Sequence, residues 1–293
     1  MKPLNNLKIR SLTAAGLIAY LVVMLYFGGV VFALGASLCL FAAVYEELKA
    51  LQAAGHQPIW WPSFSCLGVF LLMVVLIVLG VVEIHPMAVL LPLMTLSLFA
   101  VLLLIMRRKA PELMDITVST MPILSIVIPG CCMLSILTLD KAQSVQNLLL
   151  ALCFTISVGG DTLAYFAGSL IGGPKMCPAI SPKKTWAGAV GGLLGSVLFA
   201  LLTGYLFRLG IVKGWFGTPN PNPGLPPMWT LALCGLLGGV AGQMGDLFAS
   251  LVKRHCGIKD FSNLFPGHGG MLDRLDSILF TSVIVYSFTW ILF

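Results

Sequence analysis

Nine long apolar segments constrain this sequence more than any other feature. They are residues 11–27, 29–45, 63–82, 86–106, 119–138, 146–171, 187–207, 229–252 and 271–292. A helix that crosses a membrane needs about 20 apolar residues, so each segment is a candidate span. Only 10% of the residues are charged and 58% are hydrophobic, whereas soluble domains carry about 25% charged residues. The sequence therefore predicts an all-α, polytopic transmembrane helix bundle of about nine helices.

The distribution of positive charge supports this helix count. If the N-terminal tail is loop zero, the tail and the even loops hold thirteen lysines and arginines, and the odd loops hold three. Cytoplasmic loops are enriched in these residues, so we expect a cytoplasmic N-terminus and an outside C-terminus. A miscount by one helix would have scrambled the alternation. The basic residues form no patch with aromatic residues, so we expect no nucleic-acid partner.

The two halves of the sequence differ in character. Residues 1–140 read as transmembrane helices for packing, with homodimer and lipid contacts as candidate roles, because they place few polar residues inside the apolar segments. Residues 141–293 are rich in glycine and carry acids within apolar helices, so they are predicted to form the catalytic domain. The segment 216–227, FGTPNPNPGLPP, is predicted to be a rigid connector on the outer side.

Four acids lie in or at the ends of the C-terminal apolar segments. They are Asp161, Asp246, Asp273 and Asp276. An ionisable residue in a membrane helix is costly and is a functional candidate by default. Gln243, Asp246 and Ser250 share one helical face. The alternatives are structural ion pairs with Arg254 or Arg274, or an ion pathway in a transporter.

Two loops offer groups that suit anions. Ser181-Pro182-Lys183-Lys184-Thr185 supplies hydroxyl and ammonium groups that match phosphate oxygens, although both lysines would also serve as cytoplasmic anchors. Gly267, Gly269 and Gly270 surround His268, and glycines let backbone amides approach an anion closely. We expect His268 to shape this glycine loop rather than to react.

The last helix opens with two acids, Asp273 and Asp276, one turn apart. If they face Asp246 near the cytoplasmic interface, the three carboxylates would form a divalent-metal cage. Magnesium prefers hard oxygen ligands together with substrate phosphates. Carboxylates, lysines and a glycine loop in one place are typical of a phosphoryl-transfer site rather than a proton relay. The sequence contains no G-x-x-x-x-G-K-[ST] motif, so P-loop chemistry is not implied.

The run from Ser250 to Asp276, SLVKRHCGIKDFSNLFPGHGGMLDRLD, resembles the signature of the phosphatidate cytidylyltransferase (CDP-diacylglycerol synthase) family. The Asp161 segment, the S-P-K-K-T loop and the cluster around Asp246 also resemble this family, so the likeness covers roughly residues 155–276. One position departs from the pattern. The family commonly has a polar residue, often Glu, where this chain has Ala187, which implies reduced activity if that side chain has a role.

The resemblance implies transfer of CMP from CTP to phosphatidate with magnesium, and it leaves a second cation open. CTP, phosphatidate and membrane lipids would be the partners. The protein would lie in a bacterial cell membrane, with its active site facing the cytoplasm. Asp246 and Asp273 would be the principal metal ligands, supported by Asp276 and Asp161. The implied catalytic residues are Asp246, Asp273, Lys253, Arg254 and Lys259. The implied substrate-binding residues are Ser181, Lys183, Lys184, Thr185, Ser250, His268, Gly269, Gly270 and Arg274.

Two other classes of protein stay as alternatives. A cation-coupled transporter would also use acids in the membrane, but the sequence lacks the matching pair of broken helices that such proteins carry. A CTP-dependent lipid kinase would share the nucleotide and the membrane setting. The products distinguish the two enzymes, because a kinase leaves CDP and a cytidylyltransferase leaves pyrophosphate.

Overall fold

A computed structural model describes residues 3–214 and 225–292, and within these ranges the chain is mostly α-helical. The helices are α1 Pro3–Phe27, α2 Gly29–Ala53, α3 Trp61–Val78, α4 Pro86–Met106, α5 Leu113–Pro122, α6 Ile128–Ser135, α7 Gln143–Leu170, α8 Trp186–Val212, α9 Met228–His255 and α10 Leu272–Leu292. A π-helical turn, Ile123–Val127, joins α5 to α6, and a 3-10 turn, Ile136–Thr138, follows α6. Most of the predicted connector at 216–227 lies outside the described residues.

All nine predicted segments are helical, which confirms the all-α fold. Within the described ranges, eight helices are long and apolar enough to cross a membrane, with α5, the π turn and α6 counted as one. Helix α10 has 21 residues but opens with Asp273, Arg274 and Asp276, and it is not among the eight. The chain is therefore a polytopic helical membrane protein, and the orientation of its termini stays a prediction.

The polypeptide divides into two compact units. The N-terminal unit contains Met1–Thr138 and Val252–Leu275, and the C-terminal unit contains Leu139–Leu251 and Asp276–Phe293. The division expected from the sequence lay between residues 140 and 141, close to the first of these boundaries. That division assigned residues 252–275 to the catalytic half, whereas in the structure they pack with the N-terminal helices.

Helix α2 runs through the core of the N-terminal unit. Phe32, Leu40 and Leu48 on α2 are fully buried. Glu47 accepts a hydrogen bond from Ser125 Oγ in the π-helical turn at 2.8 Å. Pro129 has no N–H to donate to the carbonyl four residues earlier, and the π turn lies just before it. The turn thus accommodates a proline within a continuous span.

A histidine pair joins the loop after α2 to the end of α9 within the same unit. The Nε2 atoms of His56 and His255 are 2.8 Å apart, and the ring planes differ by 7° with centroids 5.1 Å apart. The distance between the centroids equals the Nε2–Nε2 distance plus the distance from centroid to Nε2 in each ring, so the two Nε2 atoms lie on the line between the centroids. The rings therefore meet edge to edge in one plane, which suits a hydrogen bond, rather than face to face.

Close helix packing defines the C-terminal unit. A Cβ atom placed on Gly195 of α8 would lie 2.4 Å from the carbonyl oxygen of Gly159 on α7. Ser196 Oγ donates to the carbonyl oxygen of Ile156 at 3.0 Å. Small residues allow such approach in membrane helices, where the hydrophobic effect does not drive association. The same device lets Ser157 Oγ on α7 reach Thr281 Oγ1 on α10 at 3.0 Å.

A short β-hairpin connects α7 to α8. Strands β1 (Lys175–Cys177) and β2 (Ser181–Thr185) are antiparallel, with Lys175 opposite Thr185 and Cys177 opposite Ser181. The sequence predicts a loop for this segment, whereas the structure forms a hairpin there. The hairpin matters for the site because β2 is the S-P-K-K-T motif, held in an extended conformation.

Candidate functional site

A cavity of about 410 Å³ lies within the C-terminal unit, between α7, the hairpin, α8 and α9. Its charged and polar lining includes Asp161, Lys183, Lys184, Thr185, Gln243 and Asp246. The structure therefore gathers two of the four predicted acids and most of the S-P-K-K-T motif in one place. Two carboxylates beside two ammonium groups suit a ligand that carries both a cation and an anion.

The hairpin and the start of α8 position the lysines. Side chains alternate along a strand, so Lys183 is exposed while Lys184 is half-buried. Thr185 is the N-cap of α8, and its hydroxyl accepts a hydrogen bond from the amide of Gly188 at 3.1 Å. A Cβ atom on Gly188 would lie 3.0 Å from the carbonyl oxygen of Ala164. Close approach of α8 to α7 therefore places the two lysines at the Asp161 face of α7.

Asp246 and Lys184 form an ion pair across this cavity. Lys184 Nζ lies 2.6 Å from Asp246 Oδ2, and the two side chains are 26% and 31% exposed. Lys184 Nζ itself is buried and makes no well-directed hydrogen bond, so the contact is ionic rather than geometrically specific. Both side chains keep some solvent exposure. A ligand that enters the cavity can therefore compete for either partner.

Two further groups orient Asp246 and the cavity wall. Ser250, one turn later on α9, donates to Asp246 Oδ1 at 3.5 Å, which is a long contact. Gln243 Nε2 donates to the carbonyl oxygen of Ala189 on α8 at 2.9 Å. This bond leaves the Gln243 amide oxygen as an acceptor at the cavity wall. On the predicted helical face, Gln243 therefore holds α9 to α8, and Asp246 carries the charge that pairs with Lys184.

The donor set of this cavity fits a magnesium ion. Asp161, Asp246 and the Gln243 amide supply hard oxygen atoms, and magnesium usually takes one or two carboxylates and completes its shell with water and substrate phosphates. Among the described residues, no three His, Cys, Asp or Glu side chains are grouped closely enough to hold a metal by themselves. The cavity therefore fits an ion that is bound together with an anionic substrate.

Asp273 lies in the N-terminal unit and is committed to local contacts. Its Oδ1 atom accepts from Lys253 Nζ at 2.7 Å, and its Oδ2 atom accepts from the amides of Phe261 and Gly270, both at 2.9 Å. The side chain is only 4% exposed. In this arrangement Asp273 organises the glycine loop. The prediction that Asp273 and Asp246 share one metal site stays a prediction.

The glycines of this loop have backbone roles. Gly267 and Gly269 have φ angles of +77° and +83°, a region that other residues rarely adopt. The amide of Phe265 donates to the carbonyl oxygen of Gly269, and the amide of His268 donates to that of Phe265. His268 Nδ1 is buried without a hydrogen-bond partner. That His268 shapes the loop rather than reacts stays a prediction.

The remaining predicted residues are spread around these two clusters. Ser181 begins β2 and pairs with Cys177, away from the Lys184 end of the strand. Arg254 and Lys259 are exposed at and just after the end of α9, and Arg274 is exposed on α10. Asp276 belongs to the C-terminal unit, and its Oδ1 atom accepts from the amide of Ser277 at 2.8 Å.

Sequence reasoning missed Glu46. This residue is 4% exposed and its carboxylate accepts from Ser262 Oγ, the Met271 amide and the Leu272 amide. The second apolar segment was predicted to end at residue 45, so Glu46 was placed outside the helix. Helix α2 in fact continues to Ala53. If the predicted helix had continued past residue 45, Glu46 would have been an acid inside a membrane helix and so a functional candidate.

The fold and the cavity define the class of protein: a polytopic helical membrane protein with carboxylate and lysine side chains grouped in one cavity. The sequence matches the profile of the Cytidylyltransferase family over residues 8–292, and the chain belongs to that family. This result confirms the resemblance drawn from the run between Ser250 and Asp276.

Several curated relatives are similar to the chain over part of its length. A phosphatidate cytidylyltransferase of Brucella abortus is 38% identical over 135 residues, which cover 46% of this chain and 44% of the relative. One from Rickettsia felis is 32% identical over 191 residues, 64% of this chain and 79% of the relative. One from Staphylococcus haemolyticus is 42% identical over 120 residues, 41% of this chain and 40% of the relative. The match therefore spans less than half the length of the Brucella protein.

Proposed function

We propose that this protein is a magnesium-dependent phosphatidate cytidylyltransferase that makes CDP-diacylglycerol and pyrophosphate from CTP and phosphatidate. The observation that carries the proposal is the cavity in which Lys184 pairs with Asp246 beside Asp161 and Lys183. Membership of the Cytidylyltransferase family and the names of the bacterial relatives supply the substrates.

The reaction needs little activation of its nucleophile. A phosphate oxygen of phosphatidate forms a bond to the α-phosphorus of CTP, and the bond from that phosphorus to the β-phosphate oxygen breaks. Pyrophosphate leaves with the electron pair. No covalent enzyme intermediate is required, so we propose direct in-line transfer. The main barrier is repulsion between two anions, which fixed positive charges reduce.

The lysines of the cavity meet this requirement. Lys183 and Lys184 are consecutive residues of β2 and both line the cavity, and ammonium groups form strong charge-assisted hydrogen bonds with phosphate oxygens. When Lys184 binds phosphate it leaves Asp246, whose carboxylate then becomes available to a cation. Magnesium held by Asp161 and Asp246 would neutralise charge on the reacting phosphates and on the leaving pyrophosphate.

The location follows from the charge pattern. The excess of lysine and arginine in the N-terminal tail and the even loops supports a cytoplasmic face for the S-P-K-K-T hairpin. Because CTP is a cytoplasmic nucleotide and phosphatidate is a membrane lipid, a site at the cytoplasmic end of membrane helices gives access to both. We propose a bacterial cell membrane, in keeping with the organisms of the relatives.

Product analysis tests the proposal. Purified protein in lipid nanodiscs is incubated with CTP, phosphatidate and Mg²⁺, and the lipid fraction is analysed by mass spectrometry. CDP-diacylglycerol with an equal amount of pyrophosphate is the expected result. Formation of CDP together with a newly phosphorylated lipid would indicate a kinase. Ion flux that is independent of CTP, with no lipid product, would indicate a transporter.

A further inference from the structure

Glu46 contacts the segment that carries Asp273, and we propose that it is a positioning residue for that carboxylate. Its Oε1 atom accepts from Ser262 Oγ at 2.6 Å and from the Met271 amide at 2.9 Å, and its Oε2 atom accepts from the Leu272 amide at 2.9 Å. The residue is 4% exposed. The catalytic consequence drawn below rests on the proposed function and on the prediction that Asp273 serves the same reaction.

Glu46 acts as a distant cap for α10. The first amides of a helix have no acceptor within the helix, and a residue just before the helix usually supplies one. Here the acceptor comes from α2, 225 residues before Met271. A carboxylate near a helix N-terminus is also favoured by the helix dipole. The first turn of α10, which contains Asp273, is therefore fixed by a different helix.

Glu46 and Asp273 divide the donors of the same segment between them. The Phe261 amide donates to Asp273 and the neighbouring Ser262 hydroxyl donates to Glu46. At the other end, the Gly270 amide donates to Asp273 and the next amide, Met271, donates to Glu46. A shift of either residue pair away from Glu46 must therefore displace donors of Asp273 as well.

Gly270 makes this contact possible. A Cβ atom at Gly270 would lie 2.5 Å from Glu46 Oε2, closer than real Cβ contacts. Substitution of Gly270 by alanine thus disturbs the Glu46 contact from the opposite side while leaving the carboxylate in place. It provides a second variant that does not depend on removing a buried acid.

The test combines hydrogen exchange with kinetics on Glu46→Gln in the full-length protein. The amide side chain keeps its size but directs an NH₂ group, or a weaker acceptor, at three donors. We expect faster amide exchange in residues 261–272 and a kcat about 10- to 100-fold lower, the scale of a misplacement near 1 Å. KM for CTP should stay close to that of the wild type, since Lys183 and Lys184 lie on another element.

Glu47→Gln is the matched control. Glu47 is the next residue of α2, is 1% exposed, and accepts from Ser125 in the π-helical turn. We expect this variant to keep wild-type exchange in residues 261–272 and a wild-type kcat. The effects of Glu46→Gln and Gly270→Ala should be less than additive in the double variant, because the two residues share one contact.

Several outcomes would overturn the proposal. Unchanged exchange in residues 261–272, faster exchange with unchanged kcat, or an equal effect of Glu47→Gln would each do so. If Glu46→Gln does not fold, Gly270→Ala must show the same exchange and kcat pattern for the proposal to survive. If the wild type forms no product, the proposed function fails and the kinetic part falls with it. The exchange comparison then still decides whether Glu46 holds the segment.

Discussion

Both acids that were predicted as principal metal ligands are paired with a lysine. Asp246 contacts Lys184, and these side chains are 31% and 26% exposed. Asp273 contacts Lys253, and these side chains are only 4% and 12% exposed. On the proposed function, a cation that bound Asp246 would release Lys184, and a phosphate that bound Lys184 would release Asp246. Binding of the two should therefore be mutually favourable. Asp273 is much less accessible to such exchange.

Replacing Lys184 with alanine tests this residue-level account. The variant loses a charged partner for phosphate, worth about 1.5–3 kcal/mol, so kcat/KM for CTP should fall by about tenfold or more. Steady-state kinetics in nanodiscs measures this change. Lys175→Ala is the control, because Lys175 lies on β1 of the same hairpin and is exposed. An equal loss in both variants would contradict a specific role for Lys184.

A second residue-level prediction concerns the glycine loop. Gly269→Ala should lower the free energy of unfolding, because Gly269 has a φ of +83° and a Cβ there would lie 2.9 Å from Asp273 Oδ2. Backbone strain alone costs about 1–3 kcal/mol. Gly257→Ala is the matched control, since Gly257 has a φ of +66° with no atom within 4 Å of its Cβ position. Thermal unfolding of the two variants should show the larger loss for Gly269. Equal losses would remove the Asp273 contact from the explanation.

At the scale of elements, packing of α7 against α8 positions the cavity. Gly195→Ala places a Cβ 2.4 Å from a backbone oxygen of α7, and forcing an extra methyl group into a packed interface costs about 1–3 kcal/mol. We expect a lower unfolding temperature in a fluorescence-detected thermal assay. Gly16→Ala on α1 has nothing within 4 Å of its Cβ position and should not lower it. A stable Gly195→Ala variant would show that the helices are packed less closely than described.

The helices were predictable because a long apolar segment in a membrane satisfies its backbone hydrogen bonds by forming an α-helix. The segment 86–106 was predicted with the bounds that α4 has. The end of α2 was missed because Glu46 and Glu47 look like a helix boundary, whereas both are buried and hydrogen-bonded. The hairpin of β1 and β2 was missed because strands of three and five residues leave little periodicity to detect.

The acids of the site were predictable as candidates but not in their contacts. Asp161 and Asp246 stand out because an ionisable residue is costly inside a membrane helix. The spacing along α9 places Gln243 and Ser250 beside Asp246. The bonds of Asp273 to the Phe261 and Gly270 amides depend on how the glycine loop folds back. Residue spacing within one helix carries no information about such a loop.

At the scale of the whole molecule, the topology is open to a direct test. The charge pattern predicts that the C-terminus lies outside the cytoplasm. Alkaline phosphatase fused after Phe293 should therefore be active, and green fluorescent protein fused at the same place should stay dark. The reverse pattern, with both fusions expressed to similar levels, would contradict the predicted orientation.

On the proposed function, the cavity of Asp161, Lys184 and Asp246 transfers CMP to a phospholipid. The most direct measurement follows both ends of CTP in one reaction, with CTP labelled at the α- or the γ-phosphate and phosphatidate in nanodiscs. We expect the α-label to enter the lipid and the γ-label to leave as pyrophosphate. We expect Asp246→Asn to abolish both while the protein still inserts. Entry of the γ-label into lipid, or near-normal transfer by Asp246→Asn, would contradict these expectations.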